Sequence, residues 1–290
     1  VVPSKRLNEV RSFVDMGLED FSISRLKSKM PWGVPVPGDP EQVMYVWFDA
    51  LVNYISTLGW PKNTEKFEKF WPGIQLCGKD NLRQQSAMWQ AMLMSAELPN
   101  SKQVFVNGFI TVNGQKMSKS LGNVISPIEM VEKFGVDAAR YLLLSGASFG
   151  EDFDITWEKM TEKYNADLAN GLGNLVSRVV KLGESLDIEA EEKSVDLYGE
   201  EMEKLELSGA LKKIWNLIDE SNKFIADNKP WEMAKNDAEK FKEVMAKSTI
   251  ELYNIAEGLR PFMPETAEKI RTALKTKKAE ILFPRIKQDA

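Results

Sequence analysis

Near Trp157 the hydrophobic pattern changes period, and that change restricts the architectures open to the chain. Downstream, apolar residues recur only at helical spacing. Leu168, Leu172, Leu175, Val179 and Leu182 fall on one face, and Leu207, Leu211, Ile214, Ile218 and Ile225 on a second. Phe241, Val244, Ser248, Leu252, Ile255 and Leu259 mark a third, closed by Arg260-Pro261. Such stripes predict an α-helical bundle. Upstream, residues 5–16 read as an amphipathic helix and the Pro/Gly-rich passage 31–40 as a loop. Apolar runs at 43–47, 74–77 and 103–106 have strand length, with helices between them. Asp49 is placed to cap the first of those helices, and Gly78-Lys79-Asp80 opens a second that runs to Ala96. Strands alternating with helices over short links predict a parallel α/β sheet. Residues 109–112 then read as a strand entering a tight Asn113-Gly114 turn. A polar loop, 115–123, and two short helices, 127–134 and 137–144, follow.

The 290 residues are enough for more than one domain, and 43% apolar with 28% charged is ordinary for a globular protein. No apolar run is long enough to cross a membrane, no export leader is evident, and a cytoplasmic setting is expected. The first residue is Val1, which suggests a fragment or a processed chain. One cysteine, Cys77, and no histidine exclude an internal disulfide and a Cys/His zinc site within these residues. They also remove the usual general base near neutral pH, so chemistry here relies on positioning and charge. A net charge of −5 argues against non-specific nucleic-acid binding. Local charge is uneven: residues 102–119 carry lysines and no carboxylate, whereas 184–206 is dominated by Asp and Glu.

The sharpest chemical signal is Lys116-Met117-Ser118-Lys119-Ser120. Two ammonium groups three residues apart, with hydroxyls beside them, suit a phosphate-rich ligand; a solvated basic loop is the plainer reading. The Walker spacing is missing. Asp80 follows a predicted strand at the start of a helix, where doubly wound sheets bind ligands, or it is simply a helix cap. Ala50 and Tyr54 lie four apart on one predicted helix, as do Gln85 and Trp89 on another; with Trp47 and Leu51 they read as a pocket or as plain core. Asn174 and Arg178, again four apart, lie beside an apolar stripe. Pro230-Trp231 opens a helix whose indole either stacks on an unpaired base or packs in the bundle.

The pentapeptide from Lys116 to Ser120, KMSKS, resembles the second signature of class I aminoacyl-tRNA synthetases. Gly108-Phe109-Ile110-Thr111-Val112-Asn113-Gly114-Gln115 before it and Leu121-Gly122-Asn123 after it resemble the methionyl-tRNA synthetase family. So do Phe21-Ser22-Ile23-Ser24-Arg25, Tyr45-Val46-Trp47-Phe48-Asp49-Ala50 and Gly78-Lys79-Asp80, and the resemblance covers about 3–285. It implies the second half of a Rossmann-like parallel sheet over 1–107 and a connecting region with the KMSKS loop over 108–160. An α-helical anticodon-binding bundle over 161–290 would follow. It implies methionine–tRNA ligase activity with ATP, Mg2+ accompanying the ATP, and no zinc in this part. The implied partners are methionine and tRNA-Met.

By resemblance, Lys116 and Lys119 neutralise the leaving pyrophosphate, aided by Met117, Ser118 and Ser120, with Gly114 and Gly122 as hinges. Gly78 and Asp80 would hold the ribose of ATP. Trp47, Ala50, Leu51, Tyr54, Gln85 and Trp89 would line the methionine pocket, where a thioether favours aromatic contact. Asn174, Arg178 and Trp231 would contact the CAU anticodon. Gln75, Gln85 and Asn107 stand where the family often has histidine, and Asn81 where it is often apolar. The family's His-Ile-Gly-His-like motif does not occur in these residues. The expectation is an incomplete catalytic fragment, inactive without an N-terminal complement or the rest of its own chain. The other readings are a non-catalytic tRNA-binding module, a subunit of a split synthetase, or a class I synthetase for leucine, isoleucine, valine or cysteine.

Overall fold

Two segments of unlike construction make up the structure, a computed structural model that describes residues 1–188 and 196–287. They are the compact units Val1–Phe109 and Ile110–Ala290. Part of the acidic stretch, 189–195, lies outside the described residues.

In the first unit, helix α1 (Ser4–Asp15) precedes three short strands, β1 (Ser24–Leu26), β2 (Pro35–Val36) and β3 (Asp39–Met44). These form an antiparallel sheet in the order β1-β3-β2. Helices α2 (Val46–Ser56) and α3 (Glu65–Phe70) lead to β4 (Ile74–Gly78). A helical crossover ending in α4 (Trp89–Ser95) then reaches β5 (Gln103–Asn107). β4 and β5 pair in parallel from Ile74↔Gln103 to Gly78↔Asn107, as a crossover of that length requires. Val2 extends this pair by a parallel bridge to Phe105.

The parallel pair is therefore as expected, but three upstream readings are corrected. The 31–40 passage is not wholly loop: it holds β2 and the start of β3, with the turn made at Gly38 (φ +82°). The apolar run 43–47 is not one strand. β3 ends at Met44 in the antiparallel sheet, and Val46 and Trp47 already belong to α2. A continuous apolar run carries no mark of where one element stops and the next begins. Asp49 lies inside the first turn of α2, where its charge suits the helix dipole, and Tyr45 holds the cap position. Leu51, Ile55, Phe67, Trp71, Trp89 and Leu93 close the core over these helices.

The second unit begins with β6 (Ile110–Val112) and β7 (Gln115–Lys116), joined by Asn113 (φ +52°) and Gly114 (φ +72°). Two consecutive positive φ values define the twist-matched two-residue hairpin that Asn-Gly favours. β8 (Phe153–Asp154) pairs in parallel with β6 on its other edge. Between them, α5 (Pro127–Phe134) starts on a capping box of Ser126 and Glu129 with Pro127 in the first turn, and α6 (Val136–Leu144) follows.

A continuous helical run then comprises α7 (Trp157–Lys163), a π-helical stretch Tyr164–Gly173 and α8 (Asn174–Leu182). It is followed by α9 (Leu207–Asn228), α10 (Pro230–Asn236), α11 (Ala238–Leu259) and α12 (Pro264–Thr276). The stripes read from sequence face the shared core. Leu168, Leu172, Leu175, Val179, Leu211, Ile214, Ile218, Ile225, Leu252, Ile255 and Leu259 are all buried, and Leu182 and Leu207 are half-buried at its margin. Among the described residues, no helix is long and apolar enough to cross a membrane.

Candidate functional site

In the first unit, β4 ends at Gly78 and delivers Asp80 to the carboxyl end of the parallel pair. A Cβ at Gly78 would come 2.8 Å from the Asp80 carboxylate, so glycine there lets the carboxylate fold back over the strand end. Burial, and then the Asp80 charge, push the Cys77 thiol up to about 11, consistent with that proximity. Lys79 is not a freely solvated side chain, since its ammonium lies 4.4 Å from the centre of the Phe109 ring.

The aromatic constellation forms beside these elements. Leu51, Gln85 and Trp89 are buried, Trp47 and Tyr54 are half-buried, and Ala50 is exposed. Tyr54 and Trp89 stand 6.1 Å apart, tilted at 44°. Gln85 Nε2 donates to the Tyr54 hydroxyl at 2.9 Å. Gln85 Oε1 and Trp89 Nε1 are buried, and among the described residues neither has a hydrogen-bond partner. The cluster combines an apolar floor, a hydrogen-bonded phenol and two unsatisfied buried polar atoms.

In the second unit, the residues from Lys116 to Ser120 leave β7 and pass into a short turn, Lys119–Leu121, that closes at Gly122 (φ +65°). Lys116, Lys119 and Ser120 are exposed, while Met117 packs against the bundle core and anchors the loop. The Ser118 and Ser120 hydroxyls share a hydrogen bond of 2.7 Å. Asn123 staples the loop, accepting from the Ser118 N–H at 2.8 Å and donating to the Lys116 carbonyl at 3.3 Å. Its role was not read from sequence, although an Asn just after a glycine-closed loop is a known kind of backbone clasp.

Asp154 is the other residue missed. It accepts from the Gly114 N–H (2.7 Å), the Thr111 hydroxyl (2.9 Å) and the Lys159 ammonium (2.8 Å), tying the hairpin beneath the loop. The Lys159 bond first, then Gly114 and Thr111, hold its carboxyl down from 3.8 to about 2. A depressed carboxyl contributes stability above its unfolded value and loses it as pH falls through the folded one. The Gly114 amide resonance is therefore expected to titrate with a midpoint near 2. A midpoint near 4 would show that the carboxylate does not clasp the turn.

Asn174 and Arg178 share an exposed face of α8, and Trp231, 45% exposed, opens α10. Asn222 of α9 donates to the Gly171 carbonyl, just before α8, at 3.2 Å. A Cβ on Gly183, just past α8, would lie 3.6 Å from Met245 of α11. α11 pairs antiparallel with α9 through Ser221–Glu251 and Ile214–Gly258. α8 thus runs toward the end of the bundle at which α9 stops, and Trp231 lies three residues past Asn228 at that same end. Among the described residues, Trp231 on α10 makes no hydrogen bond or ring contact with Asn174 or Arg178 on α8.

Residues 2–180 match the family described as tRNA synthetases class I (M), and residues 179–289 match the anticodon binding domain of methionyl tRNA ligase. The chain belongs to the methionyl family of class I tRNA synthetases. The methionine–tRNA ligase of Caldanaerobacter subterraneus subsp. tengcongensis is 39% identical over 99% of this chain and 51% of its own length. That of Thermotoga maritima is 41% identical over 93% of this chain and 46% of its own. A structure of Mycobacterium tuberculosis methionyl-tRNA synthetase in complex with methionyl-adenylate superposes with a TM-score of 0.83 at 35% identity, covering 93% of this chain and 57% of that one. The chain spans about half the length of the curated relatives it matches.

Proposed function

We propose that this chain carries the ATP-handling, methionine-facing and anticodon-reading parts of a methionine–tRNA ligase. The division is 1–107 as the second half of the catalytic domain, 108–160 as the KMSKS region and 161–290 as the anticodon-binding bundle. In the first step, a carboxylate oxygen of methionine attacks the α-phosphorus of ATP. The bond from that phosphorus to the bridging oxygen breaks, and pyrophosphate leaves. Negative charge grows on the departing group, so Lys116 and Lys119, held out by the stapled loop, stabilise the transition state more than the bound nucleotide. Ser118 and Ser120 add hydrogen bonds to the same oxygens. Asp80 takes the ribose hydroxyls, with Gly78 leaving room for its carboxylate. Mg2+ arriving with ATP supplies further charge neutralisation.

Trp47, Ala50, Leu51, Tyr54, Gln85 and Trp89 receive the methionine side chain. Asn174, Arg178 and Trp231 read the CAU anticodon of tRNA-Met, the amino acid then passing to the 3′ end of that tRNA. The remaining part of the active site comes from an N-terminal complement or from the rest of a longer chain, and the protein works in the cytoplasm. The observation that carries this reading is the loop geometry, with both lysine side chains exposed on a strand-anchored turn held by Asn123 and Met117. Methionine-dependent exchange of pyrophosphate into ATP, measured on the chain mixed with the N-terminal half of a relative, tests it. Exchange is expected in the mixture and not with the chain alone. No exchange with any complement sinks the ligase reading, and robust exchange by the chain alone sinks the need for a complement.

A further inference from the structure

Gln90 belongs to none of the candidate sets above, yet it is bonded to several elements beside the proposed methionine pocket. The turn Gln84–Met88, just before α4, is π-helical: the Trp89 N–H bonds to the Gln84 carbonyl, five residues back. In an α-helix that N–H would take the Gln85 carbonyl instead. The carbonyl so released is taken by the Gln90 side chain, whose Nε2 donates to Gln85 O at 2.8 Å. The second Nε2 hydrogen goes to Ser101 Oγ at 3.0 Å, and Oε1 accepts from the Ser101 N–H at 3.0 Å and from Asn100 Nδ2 at 3.1 Å. An amide has two donor hydrogens and two acceptor lone pairs, and Gln90 uses all four. Ser101 in turn donates to Gln75 Oε1 on β4, so the side chain is braced against the parallel pair. π-turns inside helices concentrate at functional sites, because the extra residue re-aims the side chains on the turn.

The side chains re-aimed here are Gln85 and Trp89. Gln85 Nε2 occupies a lone pair of the Tyr54 hydroxyl, so the hydroxyl proton is left to point elsewhere. We propose that Gln90 is a positioning residue for side-chain discrimination. It holds the Gln85 carbonyl, which keeps the π-turn, which keeps the Gln85 amide on Tyr54 and leaves the phenol proton for the thioether of the ligand. This rests on the reading of Tyr54, Gln85 and Trp89 as the methionine pocket.

Gln90→Glu separates the roles: a carboxylate still accepts from Ser101 and Asn100 but cannot donate to Gln85. Gln90→Met, neutral and of similar length, controls for the added charge. In pyrophosphate exchange by the complemented chain, methionine is compared with norleucine, which has a methylene in place of sulfur. The wild type is expected to prefer methionine. Gln85→Leu, Gln90→Glu and Gln90→Met are each expected to cut that preference about five- to tenfold, the weight of one hydrogen bond. The loss is expected in the KM for methionine with kcat little changed. Gln85→Leu combined with Gln90→Glu loses no more than either alone, because both act through one bond. Amide exchange over 82–95 of the uncomplemented chain is expected to rise in both Gln90 variants while β4 and β5 stay protected.

A wild-type preference in both Gln90 variants, additive losses in the double variant, or unchanged exchange over 82–95 overturns the proposal. Equal use of methionine and norleucine by the wild type is a separate failure. It removes the pocket reading itself, and the role of Gln90 with it.

Discussion

Replacing Lys116 and Lys119 together by alanine is expected to slow pyrophosphate exchange by the complemented chain by about 10²-fold or more for each lysine, mostly in kcat. The lysine side chains are exposed, and the loop is held by Met117 in the core and by Asn123 on the backbone at Ser118 and Lys116. Truncating them removes the two charges and leaves the Met117 and Asn123 anchors in place. The charge they meet grows as the α–β bond breaks, so the cost falls on the transition state and the KM for methionine stays near its wild-type value. Lys→Arg at either position keeps the charge and is expected to recover part of the rate, although a planar fork does not reproduce a point charge. An unchanged rate in the double alanine variant would end the assignment of this loop to pyrophosphate.

Alanine at Trp231 and Arg178 is expected to weaken binding of a CAU-bearing tRNA by about tenfold or more each. Stacking of one base on an aromatic ring contributes about 1–3 kcal/mol, and each 1.4 kcal/mol is a factor of ten. Trp231 is 45% exposed and Pro230 is the buried residue at the start of α10, so the substitution is expected to cost more contact with tRNA than core packing. Asn174 and Arg178 are exposed on α8 beside the buried Leu175 and Val179, which hold the helix whatever occupies the face. Asn174→Ala is expected to reduce the preference for CAU over another anticodon more than it reduces binding as a whole, since an amide reads base edges. Filter binding with anticodon-swapped transcripts measures both quantities. Equal affinity of the wild type for CAU and for a swapped anticodon would remove this face from anticodon reading.

Much of the helical unit was legible because its signals are local. A buried face every 3.6 residues marks Leu168 through Leu259 without reference to any partner, and Ser126 with Glu129 and Pro127 announces the start of α5. The Asn113-Gly114 hairpin was legible for the same reason, since few residue pairs accept positive φ twice in succession. The run 43–47 failed this test. Its five apolar residues suit the end of a strand and the start of a helix equally, and only pairing with Ser24 and Arg25 shows where β3 stops. The candidate pocket was half legible: Tyr54, Gln85 and Trp89 could be grouped by helical spacing, but not the π-turn that sets their relative aim.

Read alone, the amino-acid order determined the helical stripes, the hairpin turn, the parallel pairing across a helical crossover and the paired-lysine loop. All but the pairing are written within a few residues of themselves, in periodicity, backbone preference or side-chain chemistry, and the pairing follows from the order of strand, helix and strand. Asp154 clasping Gly114 from forty positions away, Gln90 tied through Ser101 to Gln75 on β4, and α8 and α9 ending at the same end of the bundle were decided only by the folded chain. Those contacts join residues whose separation along the chain carries no chemical mark, and they come into being when packing closes the intervening loops.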